Sequence, residues 1–400
     1  MLDALIIKAI RAILPLATPL ITPKQSPAPK PNVTTYIPSP FVPGKITRKE
    51  QRRRLKTDIY WPSGSPTDTS LPIVINFHGS GFCFHTHGDD SRFCSYAART
   101  LPAIVIDVDY SHAPENPWPA AVEDVDSAIQ FAKHFARENR RQSLQGATGH
   151  KEWDWDANRV ALVGFSSGGN LALIGSTRAE VHGGVQAVVA FYPSTNLDED
   201  PYAKPQLGPM KGAAGGKLPP WLRKILYHCY VPIETVKDRK QPLISPLYAD
   251  PGSYPLSVTI ITAEQDSLAR EGRKLADKLL NTSKFKGSIT HWEAPGQGHN
   301  WDKMTKKGSE PARLKDEAYA LTVQRIRDAF ATANYDAQDD DGEETLDHNH
   351  NQQSRTTIGK RRSVGISDGH GDARSLNSFN TAASVVGRDS LSRPIRSPRM

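Results

Sequence analysis

Five consecutive residues of this 400-residue chain have the types and spacing of an acyl-transfer nucleophile, Gly164-Phe165-Ser166-Ser167-Gly168. They close an apolar run, VALVGF (160–165), and open a stretch of helical pattern from about 168. A sharp strand-to-helix turn lifts its serine clear of the sheet edge and tolerates only small neighbours. Gly164, Gly168 and Gly169 are such neighbours. The same turn puts Ser166 at a helix N-terminus, where free N–H groups favour developing negative charge. A Gly/Ser-rich turn without chemistry has a similar composition, so the pentapeptide acquires meaning only with partners.

A second glycine-rich stretch, His78-Gly79-Ser80-Gly81-Phe82, ends the apolar run PIVINFH (72–78). Acyl transfer needs N–H donors aimed at the forming oxyanion, and glycine accepts the positive φ that turns amides inward. The expected donors are the amides of Ser80, Gly81 and Ser167, with His78, Gly79, Gly164 and Gly168 shaping the two turns. A serine also needs a base, and the base an orienting acid, in the chain order Ser, Asp/Glu, His. His299 is the expected base, in the glycine-rich loop APGQGHNW (294–301) that follows ITHWEA (289–294). His291 falls inside that run and reads as structural, while His182 and His228 have no such loop. Asp266, just past VTIITA (258–263), is the expected acid, and Glu264, nearer the run, is the runner-up.

These turns need a sheet to hold them. From about residue 53, short β-branched runs alternate with helical stretches: LKTDIYW (55–61), PIVINFH, AIVIDVD (103–109), VALVGF, VQAVVAFY (185–192), VTIITA and ITHWEA. Helical patterns include 119–138, 168–181, 268–281 and 312–334. Apolar strands alternating with helices predict an α/β fold with a mostly parallel sheet covered on both faces.

The margins differ in composition. Residues 2–22 are apolar but contain Lys8, Arg11, Pro15 and Pro19, which argues against a membrane span and against a signal peptide. Residues 2–14 suit an amphipathic helix with Leu2, Leu5, Ile6, Ala9, Ile10 and Ile13 on one face, to be packed on its own domain or laid on a membrane. Residues 23–44 read as a Pro-rich linker, and Arg48 to Lys56 as a basic edge. After residue 335 an acidic block (Asp336 to Asp347) precedes a Ser/Arg-rich segment read as disordered. The expected organisation is 1–45 helix and linker, a candidate part of a cap over the site, 46–335 catalytic domain, and 336–400 tail.

Composition limits the function classes. Lys+Arg 50 against Asp+Glu 43 leaves +7, but that excess sits largely at the margins, so no nucleic-acid partner is expected. Three cysteines form no disulfide framework and no zinc-ligand spacing. A cytoplasmic location is expected, with peripheral membrane contact through 2–14 left open.

Together these residues resemble the hormone-sensitive-lipase-like (alpha/beta hydrolase fold-3) family. Asp109-Tyr110 with Ala113-Pro114-Glu115 and Pro119-Ala120-Ala121 looks like the family's D-Y-x-x-A-P-E-x-x-x-P-A-A segment, and Asp266-Ser267-Leu268 with Glu271-Gly272 like its D-x-L-x-x-E-G. The resemblance spans about 53–330. It implies an α/β-hydrolase fold with a helical cap and hydrolysis of a small-molecule carboxylic ester through an acyl-enzyme, without metal or organic cofactor. Ser166 would be the nucleophile, His299 the base and Asp266 the acid. Short to medium acyl chains are expected; amide, formamide or peptide hydrolysis by the same triad, and non-catalytic ligand binding, are the alternatives. The cap insertion is expected at about 197–240, with Trp221, Leu222, Ile225 and Phe82 lining the substrate pocket. Three positions depart from the family: Ser80 replaces a glycine, Phe165 the usual aspartate, and Ser167 the more usual alanine.

Overall fold

The computed structural model describes residues 2–21, 27–41, 53–62, 70–144 and 155–340, all within the first of two compact units, Met1–Thr345. Every run read as a strand forms one: β2 (Arg53–Tyr60), β3 (Leu71–Phe77), β4 (Ile104–Val108), β5 (Trp155–Phe165), β6 (Ala187–Phe191), β7 (Ser257–Ala263) and β8 (Ser288–Ala294). One strand was not anticipated. β1 (Val33–Ser39) lies in the stretch read as linker and pairs antiparallel with β2, Val33 opposite Ile59. It is an edge strand, where a proline (Pro38) costs no shared ladder bond, and its β-forming run VTTYIPS is masked by the many prolines of the 23–44 stretch. The domain therefore starts before residue 46.

The sheet order is β1-β2-β4-β3-β5-β6-β7-β8. β2 runs antiparallel to β4, and the strands from β4 to β8 are parallel. Every residue of β3, β4, β6 and β7 is buried, which is why they read as continuous apolar runs. α3 (Ala120–Leu144), α4 (Ser167–Ser176) and α7 (Ala269–Leu280) cover one face, and α2 (Ser91–Thr100) and α8 (Glu310–Asp340) the other. Each face has its own apolar cluster: Ile75, Ile129, Leu173 and Leu275 in one, Val74, Phe93, Val163 and Ile326 in the other. A short helix, α5 (Ala179–His182), leads into β6, and α6 (Pro220–Tyr230) falls inside the expected cap insertion. α8 carries the chain past residue 335. The rest of the tail, 341–400, and part of the basic run, 42–52, lie outside the described residues.

The N-terminal helix corrects two expectations. α1 spans Leu2–Ile21, continuing past Pro15 and Pro19, since a proline removes one helix bond rather than the whole helix. It also presents a different face to the protein. Ile7 is fully buried, Asp3 meets His228 of α6, and Arg11 donates to the carbonyls of Cys83 and Ala113 and pairs with Glu115. Leu2, Leu5 and Ile13, read as the packing face, are exposed. Hydrophobic periodicity cannot register this, because the inward side is chosen by an arginine satisfying carbonyls. No helix among the described residues is long and apolar enough to cross a membrane.

Candidate active site

Ser166 follows β5 and caps α4 with φ 53 and ψ −115, a left-handed φ that non-glycine residues rarely adopt. The turn is tight enough that a Cβ on Gly164 would lie 2.1 Å from the Gly168 carbonyl oxygen, and one on Gly168 would lie 1.9 Å from that of Phe77. Both glycines are required by close backbone approach. The Ser166 amide donates to the Phe191 carbonyl at 2.9 Å, which ties the turn to β6.

His299 and Asp266 meet Ser166 from loops beyond β8 and β7. Ser166 Oγ lies 2.9 Å from His299 Nε2, and His299 Nδ1 lies 2.7 Å from Asp266 Oδ2. The other Asp266 oxygen accepts the Leu268 amide at 3.0 Å. Burial alone would raise the Asp266 carboxyl. The charge and hydrogen bond of His299, the Leu268 amide and the nearby Arg223 more than offset it and hold the carboxyl below its ordinary range. Glu264 turns away, accepting the Gly296 amide at 2.7 Å. His291 bonds Thr262, His182 bonds the Gly175 carbonyl, and His228 bonds Asp3 and Glu234.

The His299 loop is braced by the segment read as the cap insertion. Gly216 and His299 exchange two backbone hydrogen bonds, of 2.7 and 3.0 Å, and the Gly298 amide donates to Ala214. Gly215 has φ +99, and a Cβ there would lie 2.5 Å from the Gly298 carbonyl oxygen. The glycine pair in the cap insertion thus serves as a backing for the histidine loop.

Opposite Ser166 stands the 78–82 turn. Gly81 (φ +56) faces Leu226 of α6, and Phe82 (φ 64) stacks on Tyr230 with ring centroids 3.9 Å apart. The Gly81 and Ser167 amides have no hydrogen-bond partner among the described residues. The Ser80 amide, expected to stand free for an oxyanion, instead donates to Ser167 Oγ at 2.8 Å. Tyr110 completes this network. Burial pushes its phenol up, so it stays protonated and donates to the His78 carbonyl at 2.8 Å. Its oxygen lies 2.7 Å from Ser80 Oγ and 3.1 Å from Ser167 Oγ. Two departures from the family pattern, Ser80 and Ser167, therefore bond each other. Phe165, the third, is buried against Phe191 at 4.4 Å with Lys303 over its ring, beneath the site rather than on its wall.

A cleft opens beside Ser166 and His299. From α6 it is lined by Arg223, Leu226 and Tyr227, not by the expected Trp221, Leu222 and Ile225. Trp221 is half exposed, while Leu222 and Ile225 pack against the core. The helix was read correctly, but the wrong side of it was assigned to the site. Phe82 does line the cleft, with Ser194, Leu218 and Leu268 joining it.

Comparison with known proteins follows this geometry. The family model described as alpha/beta hydrolase fold matches residues 74–303. Esterase LipI of Mycobacterium tuberculosis is 36% identical over 145 residues, 36% of this chain and 41% of that protein. Human hormone-sensitive lipase is 34% identical over 148 residues, 36% of this chain and 12% of that protein. The matched stretches thus cover well under two thirds of these relatives. Among solved structures, the Pyrobaculum calidifontis esterase superposes with a TM-score of 0.56 at 23% identity, over 80% of this chain and 92% of that one. The thermostable carboxylesterase EstE1, cloned from a metagenomic library, gives a TM-score of 0.58 at 24% identity, over 82% and 97%. At these identities the structural likeness speaks for the fold.

Proposed function

The chain belongs to the alpha/beta hydrolase fold family, in its hormone-sensitive-lipase-like group, and we propose that it is a serine hydrolase of carboxylic esters with short to medium acyl chains. The observation that carries this reading is the unbroken run from Ser166 Oγ through His299 to Asp266, with bonds of 2.9 and 2.7 Å. In the proposed mechanism His299 Nε2 takes the Ser166 proton as Oγ attacks the acyl carbon. The same nitrogen then gives that proton to the leaving alcohol. Water, deprotonated by His299, releases the acid. Asp266 fixes the imidazole tautomer and stabilises the imidazolium. The Gly81 and Ser167 amides receive the oxyanion. The narrow cleft, walled by Phe82, Leu218, Leu226 and Leu268, supports short acyl groups. The test is a p-nitrophenyl ester series from acetate to palmitate. Turnover is expected to peak among the shorter chains, and a maximum at palmitate would overturn the chain-length assignment.

The same reading gives Ser167 a measurable role. Its hydroxyl occupies the Ser80 amide, a donor that the oxyanion would otherwise share. A single oxyanion donor is worth roughly 100–1000-fold in rate. Ser167→Ala keeps the residue-167 amide and frees that of Ser80, so kcat is expected to rise by about tenfold with KM little changed. A fall in kcat would show that the Ser80–Ser167 bond holds the turn in its working shape.

A further inference from the structure

We propose that the cleft beside Ser166 takes esters that carry a carboxylate, received by Arg223; this rests on the hydrolytic reading above. Arg223 lines the same cleft as Ser166 and His299 yet is only 2% exposed. Its Nη2 donates to Ser267 Oγ and to the Leu218 carbonyl. Its Nε and Nη1 have no hydrogen-bond partner among the described residues. A guanidinium does not shed its proton, and buried N–H groups left unmet are costly, so these donors call for an acceptor.

The neighbouring anions do not supply one. Asp266 is close enough for its charge to be felt, but its oxygens serve His299 and the Leu268 amide. Glu271 is engaged by Lys204 and by the Thr195 and Asn196 amides. The other polar groups deeper in the cleft, Ser194 and Tyr227, bond each other at 2.8 Å. Among the described residues, Arg223 is thus the one permanently charged group lining a cleft otherwise walled largely by leucines and Phe82. A carboxylate brings one negative charge to these donors. A dianionic phosphate would set its second charge against the buried carboxylates of Asp266 and Glu271, which favours a carboxylate as the occupant.

The test uses the full chain and follows acid release by pH-stat. Monoethyl glutarate and monoethyl adipate are compared with ethyl pentanoate, placing the carboxylate on the acyl side. O-acetylglycolate is compared with ethyl acetate, placing it on the alcohol side. In one series kcat/KM is expected to favour the carboxylate-bearing ester by roughly tenfold or more, as for hydrogen bonds to a charged group. Arg223→Met should cut that ratio by roughly 30-fold, and Arg223→Lys should restore part of it. Preference for the neutral ester in both series, or a ratio unchanged in Arg223→Met, would overturn the proposal. If Arg223→Met fails to fold, as judged by its melting curve, the wild-type preference and competitive inhibition by glutarate decide. If the wild type hydrolyses none of these esters, the hydrolytic reading fails by itself. Calorimetric binding of glutarate to wild type and Arg223→Lys then tests Arg223 alone.

Discussion

Ser166→Ala should lower kcat on a short-chain p-nitrophenyl ester by about 10⁶-fold, the scale seen when a triad nucleophile is removed. The size follows from what is lost. No acyl-enzyme forms, so the reaction reverts to water attack on a bound ester, helped only by the Gly81 and Ser167 amides and by positioning. Those residual effects are worth about 10³–10⁴ over water. The fold should not suffer. Ser166 Oγ makes one hydrogen bond, to His299 Nε2, and an alanine inherits the same φ. A stability change of about 1 kcal/mol corresponds to roughly 2–4 °C in a domain of this size, and a shift no larger than that is expected. A fluorophosphonate should label the wild type at Ser166 and leave the variant unmodified by intact mass. Activity within tenfold of wild type would remove Ser166 from the mechanism.

The second large effect is expected at Asp266. Its carboxylate accepts from His299 Nδ1 at 2.7 Å, which leaves Nε2 unprotonated and facing Ser166. An asparagine can present its NH₂ to Nδ1 and stabilise the opposite tautomer, with a proton on Nε2 and no base for the serine. Asp266→Asn should therefore cost about 10⁴-fold in kcat. Glu264→Gln is the contrast: Glu264 holds the Gly296 amide and touches no part of the triad, so less than a tenfold loss is expected. Equal losses in the two variants would reassign the acid. Stability should depend on pH in a matching way. The folded Asp266 carboxyl lies below its ordinary value, so the stability it contributes is complete above the unfolded value of about 4. That contribution fades as pH falls through the lower folded value. Urea midpoints of the wild type and Asp266→Asn should accordingly converge in acid.

The parts of this molecule that were legible from sequence share one property: their cause is local. β3, β6 and β7 read as continuous apolar runs because both of their faces are covered. The Gly164–Gly169 turn was legible because tight backbone contact admits nothing larger than hydrogen at Gly164 and Gly168. His299 stood out because it lies in a glycine-rich loop just past a strand and follows Ser166 and Asp266 in the chain order such a site needs. β1 escaped because the prolines around its β-branched run VTTYIPS gave the whole 23–44 stretch the composition of a linker, and an edge strand tolerates proline. The packing face of α1 was misread because its inward side is set by Arg11 meeting two carbonyls that lie far away in sequence.

The amino-acid sequence by itself determined the α/β alternation, the two glycine turns and the order of Ser166, Asp266 and His299 along the chain. These depend on steric limits and burial patterns carried within a few residues. Tertiary structure alone decided which side of α6 faces the cleft, that Ser167 occupies the Ser80 amide, that Gly215 and Gly216 brace the histidine loop, and that Arg223 is buried with donors unmet. Each of these is a meeting of residues distant in sequence, fixed by how helices rotate and loops dock on the finished sheet, and no local pattern carries that information.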